Sequence, residues 1–420
     1  MRKSLVLLML LASSPLHAQG SRRWIVGFKP GAAPAERSRA LSAAGLREID
    51  NVDALGLVVA EPRIGVMSPG LAVLSESPKV ALVMEDQYRI WINDGPSAYS
   101  DRWVPGLEDI MRRIRERTGP LLPVQAPKKV HPAETEEAPW GVRRVHAVEA
   151  WTLGVGDAAG VKVAIIDTGI DATHPDLAAA VAGGYNARSG SNDAWADDNG
   201  HGTHVAGTIA ATHDGKGVVG VAPGARLYAV KVLDKDGGGF LTDIIKGIVW
   251  CAQHDIKVAN MSLGADRSVV FMQWAVEYAS ARGVTIVAAA GNSGPPMIGS
   301  SSVGYPAGYA DVIAVSALAE PQTGKPDAIT SWSSRGPKVA FIAPGENIYS
   351  TVPGGGYTWH DGTSMATPHV TGLAALAVAH GAVGSRAVRA ALAAAATPLP
   401  GLTSSEQGRG LIDARKLGAH

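Results

Sequence analysis

The chain has 420 residues, with 38 basic and 38 acidic side chains, 46% hydrophobic residues and one cysteine. This length exceeds that of one typical domain and allows a large buried core, while the formal net charge of zero gives no reason to expect nucleic acid or another polyanion as a partner. The single Cys251 excludes an internal disulfide and, within the helical segment GIVWCAQH, is expected to be a small buried hydrophobe.

The first 20 residues have the composition of a secretory signal peptide. Arg2 and Lys3 precede an apolar run that is too short to span a bilayer, and small residues lead up to Ala18. We expect cleavage after Ala18, which removes residues 1–18 on export. No later segment is apolar enough to span a membrane, so the sequence predicts a soluble secreted protein, extracellular or periplasmic.

Residues 22–92 are predicted to form a separate small α+β unit. The strand-like segments are RWIVGFKP, ALGLVVAEP and VALVMEDQYRIW, and the helix-like segments are PAERSRALSAAG and the weaker PGLAVLSES. Their order suits a ferredoxin-like βαββαβ arrangement. The pattern by itself also permits other small α+β modules.

Residues 93–135 form a linker or insert after this unit. In GLEDIMRRIRERTG, Leu107, Ile110, Met111 and Ile114 recur at helical spacing, which predicts a short amphipathic helix. The following segment, PLLPVQAPKKVHPAETEEAP, is rich in proline and is expected to be extended.

Residues 136–420 contain continuous apolar runs that alternate with helical segments. These runs are VKVAIID, RLYAVKV, KVANMS, VTIVAAAG, DVIAVSA and KVAFIAPG. Continuous runs are typical of parallel strands that are covered on both faces. The sequence therefore predicts an α/β fold with a doubly wound, mostly parallel sheet, in which ligands bind beyond the carboxyl ends of the strands.

Three short motifs supply the residues that a nucleophilic serine hydrolase needs. Asp167 lies at the end of the strand-like part of VAIIDTGID, His201 begins HGTHVAGT, and Ser364 lies in GTSMATPHV. A serine hydroxyl needs an imidazole to accept its proton and a carboxylate to hold that imidazole in the right tautomer. Taken singly, each residue could be an ordinary cap or turn residue. Together they predict a catalytic triad.

The segments DTGID, HGTHVAG, NMSLG, VAAAGN and GTSMATPHV, in this order, resemble the motifs of subtilases. The resemblance runs from about Glu136 to the C terminus. It implies a subtilisin-like serine endopeptidase that hydrolyses polypeptides through an acyl-enzyme intermediate. We expect it to be a monomer.

The resemblance also implies the roles of single residues. His201 is the general base and acid, and His204, one helical turn later, is structural. Asn292 in VAAAGN and the backbone N–H of Ser364 stabilise the oxyanion. Asn260 in VANMSLG is expected to be structural.

Substrate-binding residues follow from the same resemblance. Two extended edges would pair with a substrate peptide as strands do, with the residues Gly237, Gly238, Gly239, Ser262, Leu263 and Gly264. The primary specificity pocket would use Ala289, Ala290, Gly291 and Gly304. A second apolar pocket would use Leu241 and Ile244. Neither pocket carries an obvious acidic residue, so we expect broad specificity with an apolar preference.

A structural Ca²⁺ ion is the cofactor that the resemblance implies, without any organic cofactor. The matching side chains are Asp176 in HPDL, Asp214 in THDGKG and approximately Glu136, and the matching backbone carbonyls are those of Thr212, Lys216 and Val218. Such hard oxygen ligands suit Ca²⁺. The alternative is a salt bridge from Lys216 to a neighbouring carboxylate.

Two competing interpretations come from other classes of function. A zinc cluster could be formed by Asp167, His174, His201 and His204, because HxxH spacing places two imidazoles on neighbouring turns. However, the segment lacks the glutamate of HExxH, and a zinc site leaves GTSMA and AAAGN unexplained. The other alternative is a catalytically silent subtilase-fold protein that acts in binding.

Placed before a subtilase domain, residues 22–92 resemble the inhibitory propeptide of that family, with WIVGFK early and VMEDQY late. This implies a self-processing zymogen whose propeptide templates folding and blocks the cleft as an intramolecular inhibitor. Residues 93–135 depart from the family pattern, in which the propeptide runs almost directly into the catalytic domain. This insert could be a covering arm, a processing region cleaved at Arg112, Arg113, Arg115 or Arg117, or a solvated linker.

Overall fold

The structure is a computed structural model that describes residues 22–66, 70–92, 135–297 and 299–418. The predicted signal peptide and the predicted amphipathic helix of the insert lie outside these residues. Within the described part of the chain, no helix is both long and apolar enough to cross a bilayer.

The N-terminal unit has the predicted βαββαβ order. Its sheet is antiparallel, with the strand order β2-β3-β1-β4. The elements are β1 (Trp24–Phe28), α1 (Pro34–Ala43), β2 (Leu46–Val52), a 3₁₀ turn (Asp53–Leu55), β3 (Leu57–Pro62), α2 (Leu71–Glu76) and β4 (Val80–Glu85). Strand β2 was not among the predicted strands because it lies at the edge of the sheet, where only its two terminal residues are buried.

The two faces of this small sheet contact different partners. Side chains alternate along a strand, and those of Trp24, Val26 and Phe28 pack with α1 and α2. Ile25, between them, belongs instead to a core shared with the larger part of the chain. The N-terminal unit is therefore docked through one face of its sheet.

The predicted strand VALVMEDQYRIW is interrupted in the structure. Strand β4 ends at Glu85, and the chain continues as β5 (Tyr88–Ile90), which leaves the small sheet. β5 pairs antiparallel with β9 (Gly238–Phe240), far along the chain. A local pattern cannot show such a change of partner, because both segments are equally strand-like.

The larger part of the chain contains a nine-stranded sheet, and all six predicted apolar runs are strands in it. The sheet order is β16-β17-β13-β12-β11-β10-β6-β8-β7, with every neighbouring pair parallel except β16 and β17. The strands are β6 (Lys162–Asp167), β7 (Val181–Asn186), β8 (Arg226–Lys231), β10 (Val258–Met261), β11 (Thr285–Ala289), β12 (Val312–Leu318), β13 (Val339–Pro344), β16 (Ala396–Thr397) and β17 (Leu411–Ile412). The predicted fold class is confirmed.

Helices cover both faces of this sheet. They are α3 (Trp140–Arg144), α4 (Ala147–Ala150), a π-helical turn (Trp151–Val155), α5 (His201–Ala210), α6 (Leu241–Gln253), α7 (Val270–Ser280), α8 (Thr363–Ala379), α9 (Gly384–Ala395), α10 (Ser404–Gln407) and a 3₁₀ turn (Ala414–Lys416). A hairpin of β14 (Ile348–Val352) and β15 (Gly356–His360) packs on α5.

Alternating residues of β6 show how the sheet is covered. Val163 and Ile165 join the core that contains α5 and α8, whereas Ala164 and Ile166 join the core that contains α6 and α7. Helix α8 is buried along nearly its whole length, as its apolar sequence predicts. The N-terminal residues of α5 and α8 are therefore held on a rigid scaffold.

Candidate active site

A buried carboxylate and a buried imidazole meet at the carboxyl end of β6. Asp167 is the last residue of that strand, and its Oδ1 lies 2.8 Å from Nδ1 of His201, the first residue of α5. The same oxygen accepts a hydrogen bond of 2.7 Å from the backbone N–H of Thr168. An Nδ1–H donated to a carboxylate leaves Nε2 as the basic nitrogen of the ring.

Ser364 lies in the first turn of α8, which packs against α5. His360, four residues before Ser364, stacks on His204, three residues after His201, with ring centroids 4.5 Å apart. The starts of the two helices therefore lie at the same end of the sheet. The Ser364 Oγ–H donates to the Ser262 carbonyl at 3.3 Å, and the Ser262 hydroxyl donates to the Ser364 carbonyl at 2.7 Å.

Asn292 follows β11 and is placed beside the serine segment. Its Oδ1 accepts from the N–H of Thr363 at 3.0 Å and from the Thr363 hydroxyl at 2.8 Å. Since Thr363 immediately precedes Ser364, these bonds tie the amide to the start of α8. The amide oxygen of Asn292 is thus engaged by Thr363, and the NH₂ group is the end of the side chain that can donate hydrogen bonds.

His204 has the environment of a structural residue. It is fully buried, and its Nε2 lies 3.0 Å from the Ile348 carbonyl. Burial, with the neighbouring His360 and His201 as further causes, holds the pKa of His204 well below its ordinary value. A ring that stays neutral and donates to a carbonyl agrees with its predicted structural role.

Asn260 supports Ser262, the residue that exchanges hydrogen bonds with Ser364. Its Nδ2 donates to the Ser262 Oγ at 2.9 Å, and its Oδ1 accepts from the Thr371 hydroxyl of α8 at 2.8 Å. Both Asn260 and Ser262 are fully buried. Sequence reasoning had no signal for the side-chain bonds of Ser262, because the motif identified it only by its backbone.

The two predicted substrate-binding edges are brought together around residues 88–91. Trp91 donates its backbone N–H to the Gly237 carbonyl and accepts from the Gly264 N–H, both at 3.0 Å. Its Nε1 also donates to the Gly239 carbonyl at 2.9 Å. A Cβ at Gly238 would lie 2.2 Å from the Tyr88 hydroxyl oxygen, so any larger residue at this position would displace the Tyr88 side chain.

The predicted pocket residues also lie near one another. The Gly304 N–H donates to the Ala290 carbonyl at 2.9 Å, and a Cβ built on Gly291 would lie 3.9 Å from the Gly304 nitrogen. Leu241 and Ile244 are buried in the same core as Trp91. Sequence reasoning missed that Trp91 shares a core with this second group.

The predicted calcium ligands lie around the loop that follows α5. Asp176 is buried; it accepts the Val218 N–H at 2.8 Å and the Tyr357 hydroxyl at 3.0 Å. Burial raises the pKa of Asp176, and the negative charge of Asp214 acts in the same direction. Glu136 accepts the Gly215 N–H of this loop at 2.9 Å.

Oxygen donors of this type suit a hard cation, but among the described residues the three carboxylates are not grouped as metal ligands, so an ion here would depend on the backbone carbonyls of Thr212, Lys216 and Val218. Asp176 and Asp214 are close enough to influence each other electrostatically, and a cation between them would relieve that repulsion. In the described part of the chain Lys216 forms no ion pair; its backbone N–H donates to Asp214 at 3.1 Å. The salt bridge from Lys216 is therefore not what offsets these charges.

The alternative zinc cluster does not fit the observed hydrogen bonds. Both ring nitrogens of His174 are engaged by the backbone, at Gly356 and Asp176. His204 faces the Ile348 carbonyl, and His201 faces Asp167. Among the described residues, no three His, Cys, Asp or Glu side chains are grouped as metal ligands.

Comparison with known proteins adds an independent finding. A family model described as the subtilase family matches residues 158–410, a range that includes Asp167, His201, Asn292 and Ser364. Subtilisin BL of Lederbergia lenta is 47% identical over 241 residues, which cover 57% of this chain and 84% of that protein. Subtilisin of Bacillus pumilus is 42% identical over 279 residues, which cover 66% and 98%. An intracellular serine protease of Paenibacillus polymyxa is 43% identical over 264 residues, which cover 62% and 78%.

Proposed function

The chain belongs to the subtilase family and is a serine endopeptidase, and from this premise we propose that Asp167, His201 and Ser364 perform its catalysis. The observation that supports this most directly is the 2.8 Å contact between the buried Asp167 carboxylate and His201 Nδ1. It fixes the imidazole in the tautomer that accepts a proton at Nε2.

In the proposed mechanism, Ser364 Oγ attacks the scissile carbonyl while His201 Nε2 takes the serine proton. The tetrahedral oxyanion receives hydrogen bonds from the Ser364 N–H and the Asn292 NH₂ group. His201 then gives its proton to the leaving amine, and an acyl-enzyme remains on Ser364. A water molecule then attacks the acyl carbonyl while His201 takes its proton, and His201 returns that proton to Ser364 Oγ as the ester bond breaks and the acid product leaves.

We propose that a polypeptide substrate binds as a strand between Gly237–Gly239 and Ser262–Gly264. The pairing of residues 88–91 with these edges supports this, because it shows that they accept an extended chain. Backbone pairing tolerates many sequences. The small residues Ala289, Ala290, Gly291 and Gly304 would leave room for an apolar side chain before the scissile bond, which gives broad specificity with an apolar preference.

Subtilisin-like proteases are inhibited by their propeptides, and residues 22–92 are proposed to be the propeptide of this enzyme. The support is that Trp91 is almost completely buried in the substrate cleft while the sheet of the same unit packs on α6 and α7. The chain would then consist of residues 1–18 as signal peptide, 22–92 as propeptide, 93–135 as linker and 136–420 as peptidase. Export and removal of residues 1–18 belong to this proposal.

Calcium binding is general among subtilases, and its placement here is part of the proposal. Asp176, Asp214 and Glu136 would hold the ion together with the carbonyls of Thr212, Lys216 and Val218. The ion would supply no chemistry to catalysis and would offset the negative charges around the loop after α5.

The proposal is tested by expression of the wild-type chain, Ser364→Ala and the control Ser300→Ala, which changes an exposed serine. Wild type and Ser300→Ala should trim themselves to a smaller mature form that hydrolyses casein. Ser364→Ala should remain full length and inactive. Equal processing of all three chains, without casein hydrolysis, would favour a catalytically silent binding protein instead.

A further inference from the structure

Asp197 lies four residues before His201 and gathers an unusual number of hydrogen bonds. Its Oδ1 accepts from the Thr168 hydroxyl at 2.8 Å and from the N–H groups of Asn199 and Gly200 at 3.0 and 2.9 Å. Its Oδ2 accepts from the N–H and the hydroxyl of Thr203 at 2.9 and 2.6 Å. One carboxylate thus accepts five hydrogen bonds: three from backbone N–H groups just before and after His201 in the chain, one from the Thr203 hydroxyl and one from the Thr168 hydroxyl. Hydrogen bonds to a charged acceptor are stronger than neutral ones.

Thr168 connects this carboxylate to the Asp167–His201 pair. Its hydroxyl donates to Asp197 and accepts the Gly202 N–H at 3.0 Å, while its backbone N–H donates to Asp167 Oδ1. That oxygen is the one that contacts His201. A short path of hydrogen bonds therefore runs from Asp197 through Thr168 to the carboxylate that orients the imidazole.

The backbone around this path is closely packed. A Cβ at Gly202 would lie 2.2 Å from the Gly169 carbonyl oxygen, so the first turn of α5 is pressed against the segment that follows Asp167. The carbonyl of Thr168 is also held by the buried ammonium of Lys231, which pairs with Asp198 at 2.6 Å. Small displacements of Thr168 would consequently move both members of the pair.

We propose that Asp197 is a positioning residue for catalysis, which acts through the Thr168 hydroxyl to hold Asp167 and His201 in their reactive geometry. This inference rests on the proposed function. Asp197 would not contact the substrate, so its loss should slow the chemical step and leave substrate binding unchanged. An asparagine at this position keeps only one acceptor oxygen, and one of the two groups of donors would lose its partner.

The test compares Asp197→Asn, Thr168→Val and the double variant with wild type, in full-length chains that mature by self-cleavage. The readouts are kcat and KM for a chromogenic peptide anilide with an apolar residue before the scissile bond, normalised by active-site titration. We expect each single variant to lower kcat about tenfold, with KM changed by less than about twofold. The double variant should lose no more kcat than the more impaired of the two single variants, because both changes break the same path.

Two controls separate positioning from general stability. Thr168→Ser retains the hydroxyl and should keep wild-type kcat. Glu406→Gln removes a carboxylate oxygen that binds the N–H and hydroxyl of Thr403 in the way that Asp197 binds Thr203, and it too should keep wild-type kcat. If Asp197→Asn has normal kcat, or if the losses of Asp197→Asn and Thr168→Val multiply, the inference is wrong. A wild-type chain without Ser364-dependent hydrolysis would instead overturn the proposed function.

Discussion

Asp243 should make the affinity between residues 22–92, the proposed propeptide, and the peptidase domain depend on pH. It is buried in the first turn of α6, next to Thr242, whose N–H donates to Asp86 of the N-terminal unit at 3.0 Å. Asp86 in turn pairs with Arg23 at 2.9 Å. Burial, followed by the charge of Asp86, raises the pKa of Asp243 to about 7. The positive charges of Arg23, Lys246 and Arg188 act in the opposite direction.

The sign of the effect follows from proton linkage. When the propeptide leaves, Asp243 loses the neighbouring charge of Asp86 and should become more exposed, so its pKa should return towards the ordinary value of about 3.9. The complex then binds a proton that the free enzyme does not, so the complex gains stability as the pH falls below about 7. A pKa of about 7 predicts about 30-fold tighter binding at pH 5.5 than at pH 8.5, or about 2 kcal/mol. Burial also raises the pKa of Asp86, which acts in the same direction.

The assay is inhibition of the mature enzyme by added residues 22–92 at these two pH values. The asparagine of Asp243→Asn is uncharged at both pH values. This variant enzyme should therefore bind residues 22–92 more tightly than wild type at pH 8.5, and its affinity should lose most of the pH dependence. Asp255→Asn, an exposed position just beyond the other end of α6, is the matched control and should behave as wild type. An unchanged pH dependence in Asp243→Asn would refute the reasoning.

Three further outcomes are expected. Asn292→Ala should lower kcat about 10²–10³-fold, because one oxyanion donor is lost. Thermal unfolding checks that the variant is folded, and a near-normal kcat would exclude the role assigned to Asn292. Trp91→Ala in the proposed propeptide should weaken inhibition by about 30-fold or more, since a buried aromatic anchor is removed. Ile64→Ala, at a fully exposed position, should leave inhibition unchanged. Equal inhibition by both variants would contradict the binding of Trp91 in the cleft. A chelator should lower the melting temperature of the mature enzyme, and Asp176→Asn should remove that sensitivity; a melting temperature that does not respond to chelator contradicts the calcium site.

Continuous apolar strands were predictable from the sequence, and polar edge strands were not. The six central strands of the large sheet are buried on both faces, so composition alone marks them. β2 and β7 lie at sheet edges, and β7 contains Gly183 and Gly184, which weaken a strand pattern. β5 was predicted as strand from its local pattern, but only the resemblance to an inhibitory propeptide that blocks the cleft pointed to its partner, since pairing across about 150 residues leaves no local signal.

The residues of the candidate site also differ in how far the sequence could predict them. Motifs indicated Asp167, His201, Asn292 and Ser364, because catalysis requires these residue types. The contacts of Asp243 with the propeptide and of Asp197 with Thr168 join distant segments, and an acidic residue in a loop or a first helical turn has many ordinary explanations. Such supporting residues become identifiable only when the hydrogen bonds are known.

The assignment of Ser364 as the nucleophile is tested most directly by mapping a fluorophosphonate adduct on the mature enzyme by peptide mass spectrometry. The proposed mechanism predicts a single adduct, on Ser364, that is lost in His201→Ala. An adduct on another residue, or casein hydrolysis that continues when Ser364 is fully modified, would contradict it.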